Sequence, residues 1–315
     1  MTEQFRIDVE HGLASQPKTL PSKYFYDEIG DDLFVKIMHM PEYYLTRAEL
    51  EIFQHQTDRI ISSLEQKSDT YFELIELGAG DGTKTKKLLS RLLEKGFDFD
   101  YLPVDISQHA LDNLNESLSK ELPALQVRTQ QGDYFEILES LKESRNPKVV
   151  LFLGSNIGNL SDEKASEFIY RLGSNLQAND MLFLGVDLIK SEDIVLPAYN
   201  DKQGITRDFN LNLLTRINNE LGGNFDLNGF VHAPEYSETE GIARSFIEST
   251  KDQVVTLGCD GPTFAFEKGE KIHTEISRKY NDEVLKSIIK HTDFKIQAKL
   301  MDSQSFFADY VLKRT

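Results

Sequence analysis

From residue 71 onward, short and almost continuously apolar runs alternate with stretches whose leucines recur at helical spacing. Phe72 to Leu77 is an apolar run ending at glycines, and Lys84 to Lys95 places Leu88, Leu89, Leu92 and Leu93 on a helical period. Tyr101 to Asp105 reads as a second strand, followed by a helix from Ser107 with leucines at 111, 114 and 118. Leu125 to Gln130 reads as a third strand, Lys148 to Leu153 as a fourth and Met181 to Asp187 as a fifth. Strands that are apolar throughout, rather than alternating, are buried on both faces, so the pattern predicts a parallel sheet covered by helices on each side. The alternation stops over 190–280, where a helix at Phe209 to Leu221 gives way to strands at Thr263–Phe266 and Ile272–Ser277. It resumes with a helix at Asp282–His291. Phe294 to Leu300 and Phe306 to Leu312 then close the chain as two strands, and their short separation predicts an antiparallel hairpin. The first sixty-odd residues are helical in pattern, broken by two turn-rich aromatic segments, Leu20 to Asp27 and Met40 to Arg47.

The expected organisation is therefore an α/β chain in two parts. Residues 62–190 and 281–315 form a doubly covered sheet with a terminal antiparallel hairpin, the strand count of a class I (Rossmann-like) methyltransferase. Residues 1–61 and 191–280 form a smaller α+β domain that covers the substrate. The length of 315 residues suits this division, and a hydrophobic content of 39% supports a proper core.

Charge and cysteine content narrow the chemistry. Fifty-two acidic residues against 35 basic ones weigh against nucleic acid as the main partner, because a phosphate backbone demands a basic face. A single cysteine, Cys259, excludes an internal disulfide and a multi-cysteine zinc site. The seven histidines show no HxH or HxxxH pair, so no metal is expected. The N-terminus opens polar, and no apolar run approaches the ~18 residues that a membrane span needs. These features predict a soluble, cytoplasmic protein, with a monomer favoured.

The candidate chemistry begins at Gly78-Ala79-Gly80-Asp81-Gly82, where a strand hands over to a helix. Glycines there allow a tight turn and a close approach of backbone to ligand. A phosphate-binding P-loop fits poorly, because Thr83 separates Gly82 from Lys84 and the first glycine lies four positions before Gly82. A dinucleotide site shares the turn, but Asp81 within the loop and Glu76 before it oppose a pyrophosphate. The same acids suit S-adenosylmethionine, which has no phosphate and carries a sulfonium and an ammonium. Asp105 ends the second strand, where a carboxylate can accept both ribose hydroxyls. Asp133 ends the third, where it can accept from an adenine amino group with Tyr134 or Phe135 packing nearby. Taken singly, each aspartate serves equally well as a helix cap or turn residue. Together, the three acid-bearing strand ends favour methyl transfer over hydride transfer.

Blocks outside the loop carry a resemblance. Lys23-Tyr24-Phe25-Tyr26-Asp27, Pro41-Glu42-Tyr43-Tyr44-Leu45-Thr46-Arg47, Phe152 to Asn159, Ala198-Tyr199-Asn200-Asp201, Gly204 to Asn210 and Thr274-Glu275-Ile276-Ser277 resemble the histidine-specific Nα-methyltransferases of ergothioneine biosynthesis. The resemblance implies a class I methyltransferase core with a substrate domain, and S-adenosylmethionine as cofactor. It implies cofactor contacts at Gly78, Lys84, Asp105, Asp133 and Tyr134. It implies that Tyr43, Asn159 and Tyr199 hold the carboxylate of an amino-acid substrate, histidine favoured, and that Glu275 and Ser277 hold the imidazole. Tyr26 is then the catalytic-site residue beside the amine, which is methylated up to three times to the betaine hercynine. Arg244-Ser245 departs from the apolar bulk of the relatives and leaves open another amino acid or small amine as acceptor. A non-catalytic S-adenosylmethionine-binding protein is the reading of a different class.

Overall fold

A computed structural model describes residues 2–315 and divides the chain into two compact units. Leu45–Ile189 and Lys279–Thr315 form the first, while the residues up to Tyr44 and Lys190–Arg278 form the second.

The first unit is built on an eight-stranded sheet. Its order across the sheet is Phe294–Met301, Phe307–Arg314, Met181–Asp187, Lys148–Phe152, Phe72–Leu77 and Phe99–Asp105, with two short strands, Gln126–Val127 and Gln130–Gln131, both paired to the last. All pairings are parallel except those of the closing hairpin, whose strand Phe307–Arg314 runs antiparallel to both neighbours. This is the strand arrangement of class I methyltransferases. The run expected as one third strand is split in two. It is rich in polar residues (Gln126, Arg128, Gln130, Gln131), has little to bury, and lies at the sheet edge, where Arg128 reaches back to Glu73 and Asp100.

Side chains alternate across the strands, so the sheet feeds two cores. Phe72, Leu74, Val149 and Phe183 meet Leu88, Leu89, Leu92, Leu114 and Leu118 on one face. Ile75, Leu102, Val150 and Leu182 meet Leu138, Ile169, Leu172, Leu285 and Ile288 on the other. Each fully buried leucine or phenylalanine contributes about 1.5–3 kcal/mol. The helices Leu45–His55 and Thr57–Ser63 also belong here, because Ala48, Ile52, Phe53, Ile60 and Ile61 join the first core. The division thus falls after Tyr44 rather than near residue 61. At the C-terminal border, Lys279 and Asp187 form a fully buried 2.7 Å ion pair.

The second unit centres on the antiparallel pair Ile242–Ser249 and Lys271–Arg278. Lys18–Thr19 adds a parallel edge, and Phe230–His232 and Glu235–Ser237 pair with the other side. The helix Ile205–Leu221 packs Leu213, Leu214 and Ile217 against Ile247 and Ile272, with Phe5, Val9 and Leu13 of the helix Thr2–Ala14 in the same core. Among the described residues, no helix is long and apolar enough to cross a membrane.

Candidate active site

In the sheet unit, the order in which strands are added reverses between Phe72–Leu77 and its parallel neighbour Lys148–Phe152, and ligands of open α/β sheets bind at the carboxyl ends of the strands at such a point. Gly78 lies there with φ +72°, and a Cβ at this position would sit 2.8 Å from Tyr134 Oη and 3.7 Å from Asn156 Nδ2. Only glycine leaves this cradle open. Beneath the loop, Glu76 is buried and accepts hydrogen bonds from Thr85 Oγ1 at 2.8 Å and Tyr101 Oη at 2.5 Å. Burial pushes its carboxyl up to about 7, against those two hydrogen bonds. Asp81 accepts from Thr83 N and Thr83 Oγ1 at 2.9 and 2.7 Å. Asp81 therefore fastens the loop backbone, while Glu76 ties the side chains of Thr85 and Tyr101 together beneath it.

Asp105 ends its strand as expected, whereas Asp133 lies two residues beyond Gln130–Gln131. Asp105 Oδ1 accepts from Ser107 N at 2.9 Å, which points the carboxylate out of the sheet end. Asp133 caps the helix Tyr134–Ser140 through Phe135 N and Glu136 N, so it serves as a helix cap. Tyr134 is half-buried; desolvation, with Asp105 and Asp133 nearby, raises its phenol to about 12. Ile106, directly after Asp105, is 77% exposed and offers an apolar surface that the sequence reading missed. Lys84 is ion-paired to Glu49, whose carboxylate also accepts from Gly154 N at 2.9 Å. Asn159 ends the turn Asn156–Asn159 and is exposed.

The remaining expected residues lie in the second unit. Tyr26 sits between the turn Ser22–Phe25 and the helix Glu28–Met38, and that junction is pinned from several sides. Asp27 Oδ1 accepts from Gly30 N at 2.7 Å and from Asn212 Nδ2 at 2.8 Å, while Arg216 Nη1 donates to Tyr24 O at 3.0 Å. The Tyr26 ring stands edge-on to Phe34 and Phe209, with centroids 5.6 and 5.8 Å away. Desolvation of the phenol oxygen, then the negative charge of Glu275, holds Tyr26 well above the ordinary phenol range. Phe34, Phe209 and Asn212 were not singled out from the sequence, where they read as ordinary helix residues.

Glu275 and Ser277 occupy one face of Lys271–Arg278, two residues apart. Ser277 Oγ accepts from Tyr199 Oη at 2.8 Å, so a residue expected at the substrate carboxylate touches one expected at the imidazole. His232 Nε2 lies 2.8 Å from Tyr199 O and fixes the end of the helix Glu192–Tyr199. Tyr43 is half-buried beside the cluster that contains Phe25 and Phe209. Of the two departing residues, Arg244 faces Ile276 and pairs with Glu240 at 2.6 Å, whereas buried Ser245 is the cross-strand neighbour of Glu275.

The strand order and the glycine cradle define a class I methyltransferase. Residues 5–314 match the family described as histidine-specific methyltransferase, SAM-dependent, and the chain belongs to that family. A histidine N-alpha-methyltransferase of Mycolicibacterium smegmatis is 35% identical over 89% of this chain and 86% of its own length. The Mycobacterium tuberculosis histidine N-alpha-methyltransferase is 34% identical over 89% and 85%. The ergothioneine biosynthesis protein 1 of Schizosaccharomyces pombe is 31% identical over 94% of this chain and 39% of that longer protein. The cofactor of this chain is accordingly S-adenosylmethionine.

Proposed function

We propose that the protein methylates the α-amino group of L-histidine, successively to the trimethyl betaine hercynine. The observation that carries this reading is the Glu275–Ser277 face, with Tyr199 on Ser277 and Tyr26 within the field of Glu275. A carboxylate there accepts an imidazole N–H and is left unpaired by an apolar side chain, which favours histidine. Within the second unit, Tyr43 and Tyr199 supply phenols, directional donors for the substrate carboxylate.

The glycine cradle and the donor set of its surroundings fit S-adenosylmethionine. Gly78 would admit the backbone-close part of the ligand, Asp105 would accept from ribose hydroxyls, Lys84 would meet the carboxylate, and Ile106, Asp133 and Tyr134 would hold the adenine. When bound, S-adenosylmethionine supplies an electrophilic methyl group to an unprotonated amine. Tyr26 remains a neutral phenol at physiological pH, so its oxygen accepts a hydrogen bond from the amine and orients the nitrogen lone pair without acting as a phenolate base. Positioning of this kind contributes roughly 7–11 kcal/mol to such reactions. The aromatic group of Tyr26 with Phe34 and Phe209 around it would stabilise, by cation–π attraction at Tyr26, the cation that accumulates as methyl groups are added.

Calorimetry of a panel of amino acids, titrated with S-adenosylhomocysteine present, tests the acceptor. Histidine is expected to bind most tightly. Preference for an amino acid without a side-chain N–H would overturn the assignment.

A further inference from the structure

Glu49 has no part in the reading above, yet it lies at the centre of the cofactor end of the sheet. Its side chain is fully buried on the helix Leu45–His55. Its two oxygens accept from Gly154 N at 2.9 and 3.1 Å, and Oε2 also pairs with the Lys84 ammonium. Gly154 follows the strand Lys148–Phe152, and Lys84 follows the neighbouring strand Phe72–Leu77 and its glycine loop. One carboxylate thus ties together the two strand ends that flank the reversal point.

We propose that Glu49 is the positioning residue of the cofactor site, holding the Lys84 ammonium and the Gly154 amide in place for the carboxylate end of S-adenosylmethionine. The proposal rests on the reading of Lys84 as a cofactor residue. A buried ion pair is poor evidence for a stabilising role, since apolar residues of similar volume fill such a position as well or better. The asymmetry of exposure is what points to a ligand: the Lys84 side chain is 21% exposed and that of Glu49 only 1%. An ammonium has three donors, and the pair with Glu49 engages one face of it. A lysine fixed in advance loses less rotamer freedom when the ligand arrives.

The space around Glu49 is also specified. Gly185 stands within the otherwise side-chain-filled strand Met181–Asp187, and a Cβ there would collide with Glu49 Oε1 and lie 3.1 Å from Asp309 Oδ1. Asp309 is the cross-strand neighbour of Gly185, is fully buried, and has no hydrogen-bond partner for either oxygen among the described residues. Burial, and then the charge of Glu49, pushes its carboxyl well above the ordinary range.

The test is the S-adenosylmethionine dissociation constant of the full chain, measured by calorimetry from pH 6 to 9 and paired with KM and kcat. Glu49→Gln is expected to weaken binding about tenfold at pH 7, through KM rather than kcat, and to weaken further toward pH 9 as Lys84 loses the charge that keeps it protonated. Lys84→Met is expected to weaken binding at least as much, and the double variant no more than Lys84→Met alone. Asp309→Asn, which keeps the size of the side chain and touches neither Lys84 nor Gly154, is expected to leave affinity within about twofold. Wild-type affinity in Glu49→Gln at every pH, with Lys84→Met weakened, would overturn the role of Glu49 alone. Unchanged affinity in Lys84→Met would overturn the cofactor assignment of Lys84 and this proposal with it. Should Glu49→Gln not fold, Glu49→Asp carries the same test: its shorter side chain cannot span both partners, and unaltered affinity and pH profile would overturn the proposal.

Discussion

Replacing Glu275 by alanine removes the carboxylate assigned to the imidazole of the acceptor and leaves the strand Lys271–Arg278 intact, because its pairing with Ile242–Ser249 is made by backbone. A hydrogen bond to a charged group is worth about 1.5–3 kcal/mol, so the histidine dissociation constant should rise roughly 10- to 150-fold. The glycine loop belongs to the other unit, and affinity for S-adenosylmethionine should stay within about twofold. A second consequence follows from the negative charge that Glu275 places near Tyr26. Its removal should lower the phenol's pKa, which absorbance titration at high pH detects as a phenolate signal that Tyr26→Phe abolishes. Calorimetry with each ligand, at neutral pH and fixed ionic strength, separates the two affinities. Equal loss of cofactor and histidine affinity, or histidine binding at the wild-type level, would refute the reasoning.

Other consequences are equally concrete. Asp105→Asn keeps an oxygen for Ser107 N but loses the charge offered to the ribose, so S-adenosylmethionine should bind about tenfold or more weakly with the unfolding free energy changed by less than about 0.5 kcal/mol; equilibrium dialysis and urea unfolding read the two quantities. Lys279→Met removes the ammonium from the buried pair with Asp187 and should cost about 3–5 kcal/mol in urea unfolding, a loss that Lys279→Met with Asp187→Leu partly restores. Glu76 titrates near 7 in the folded chain, above its unfolded value of 4.5, so the native state holds the extra proton between those values and loses stability as pH rises through that window. Glu76→Gln should remove this loss, an effect on the order of 3 kcal/mol in the wild-type-minus-variant difference between pH 5 and pH 8, checked by urea unfolding at both.

The sheet could be read from the sequence because doubly buried strands leave a pattern that needs no tertiary knowledge. Met181–Asp187 and Thr263–Phe266 have the expected bounds, and the closing hairpin pairs as its short separation implied. The allocation of residues 45–61 was not readable, since an amphipathic stripe such as Ala48, Ile52 and Phe53 declares that it is covered and not by which unit. The places of Asp105 and Asp133 after their strands were legible, and the cap role of Asp133 was one of the two readings its position allowed. Glu49 left no comparable signal. It stands early in a helix, remote in sequence from both partners, and only the packed sheet brings it to Lys84 and Gly154. The packing of Phe34 and Phe209 around Tyr26 was hidden for a related reason, because the spacing of helical aromatics does not say which neighbour they meet.

The central claim is most directly tested by a mass-resolved time course with S-adenosylmethionine and L-histidine, the methylated nitrogen being located by fragmentation. The account predicts mono-, di- and trimethylated products that appear in order, each modified on the α-nitrogen. Methyl groups on the imidazole ring, or binding of S-adenosylmethionine with no transfer to histidine, would contradict it.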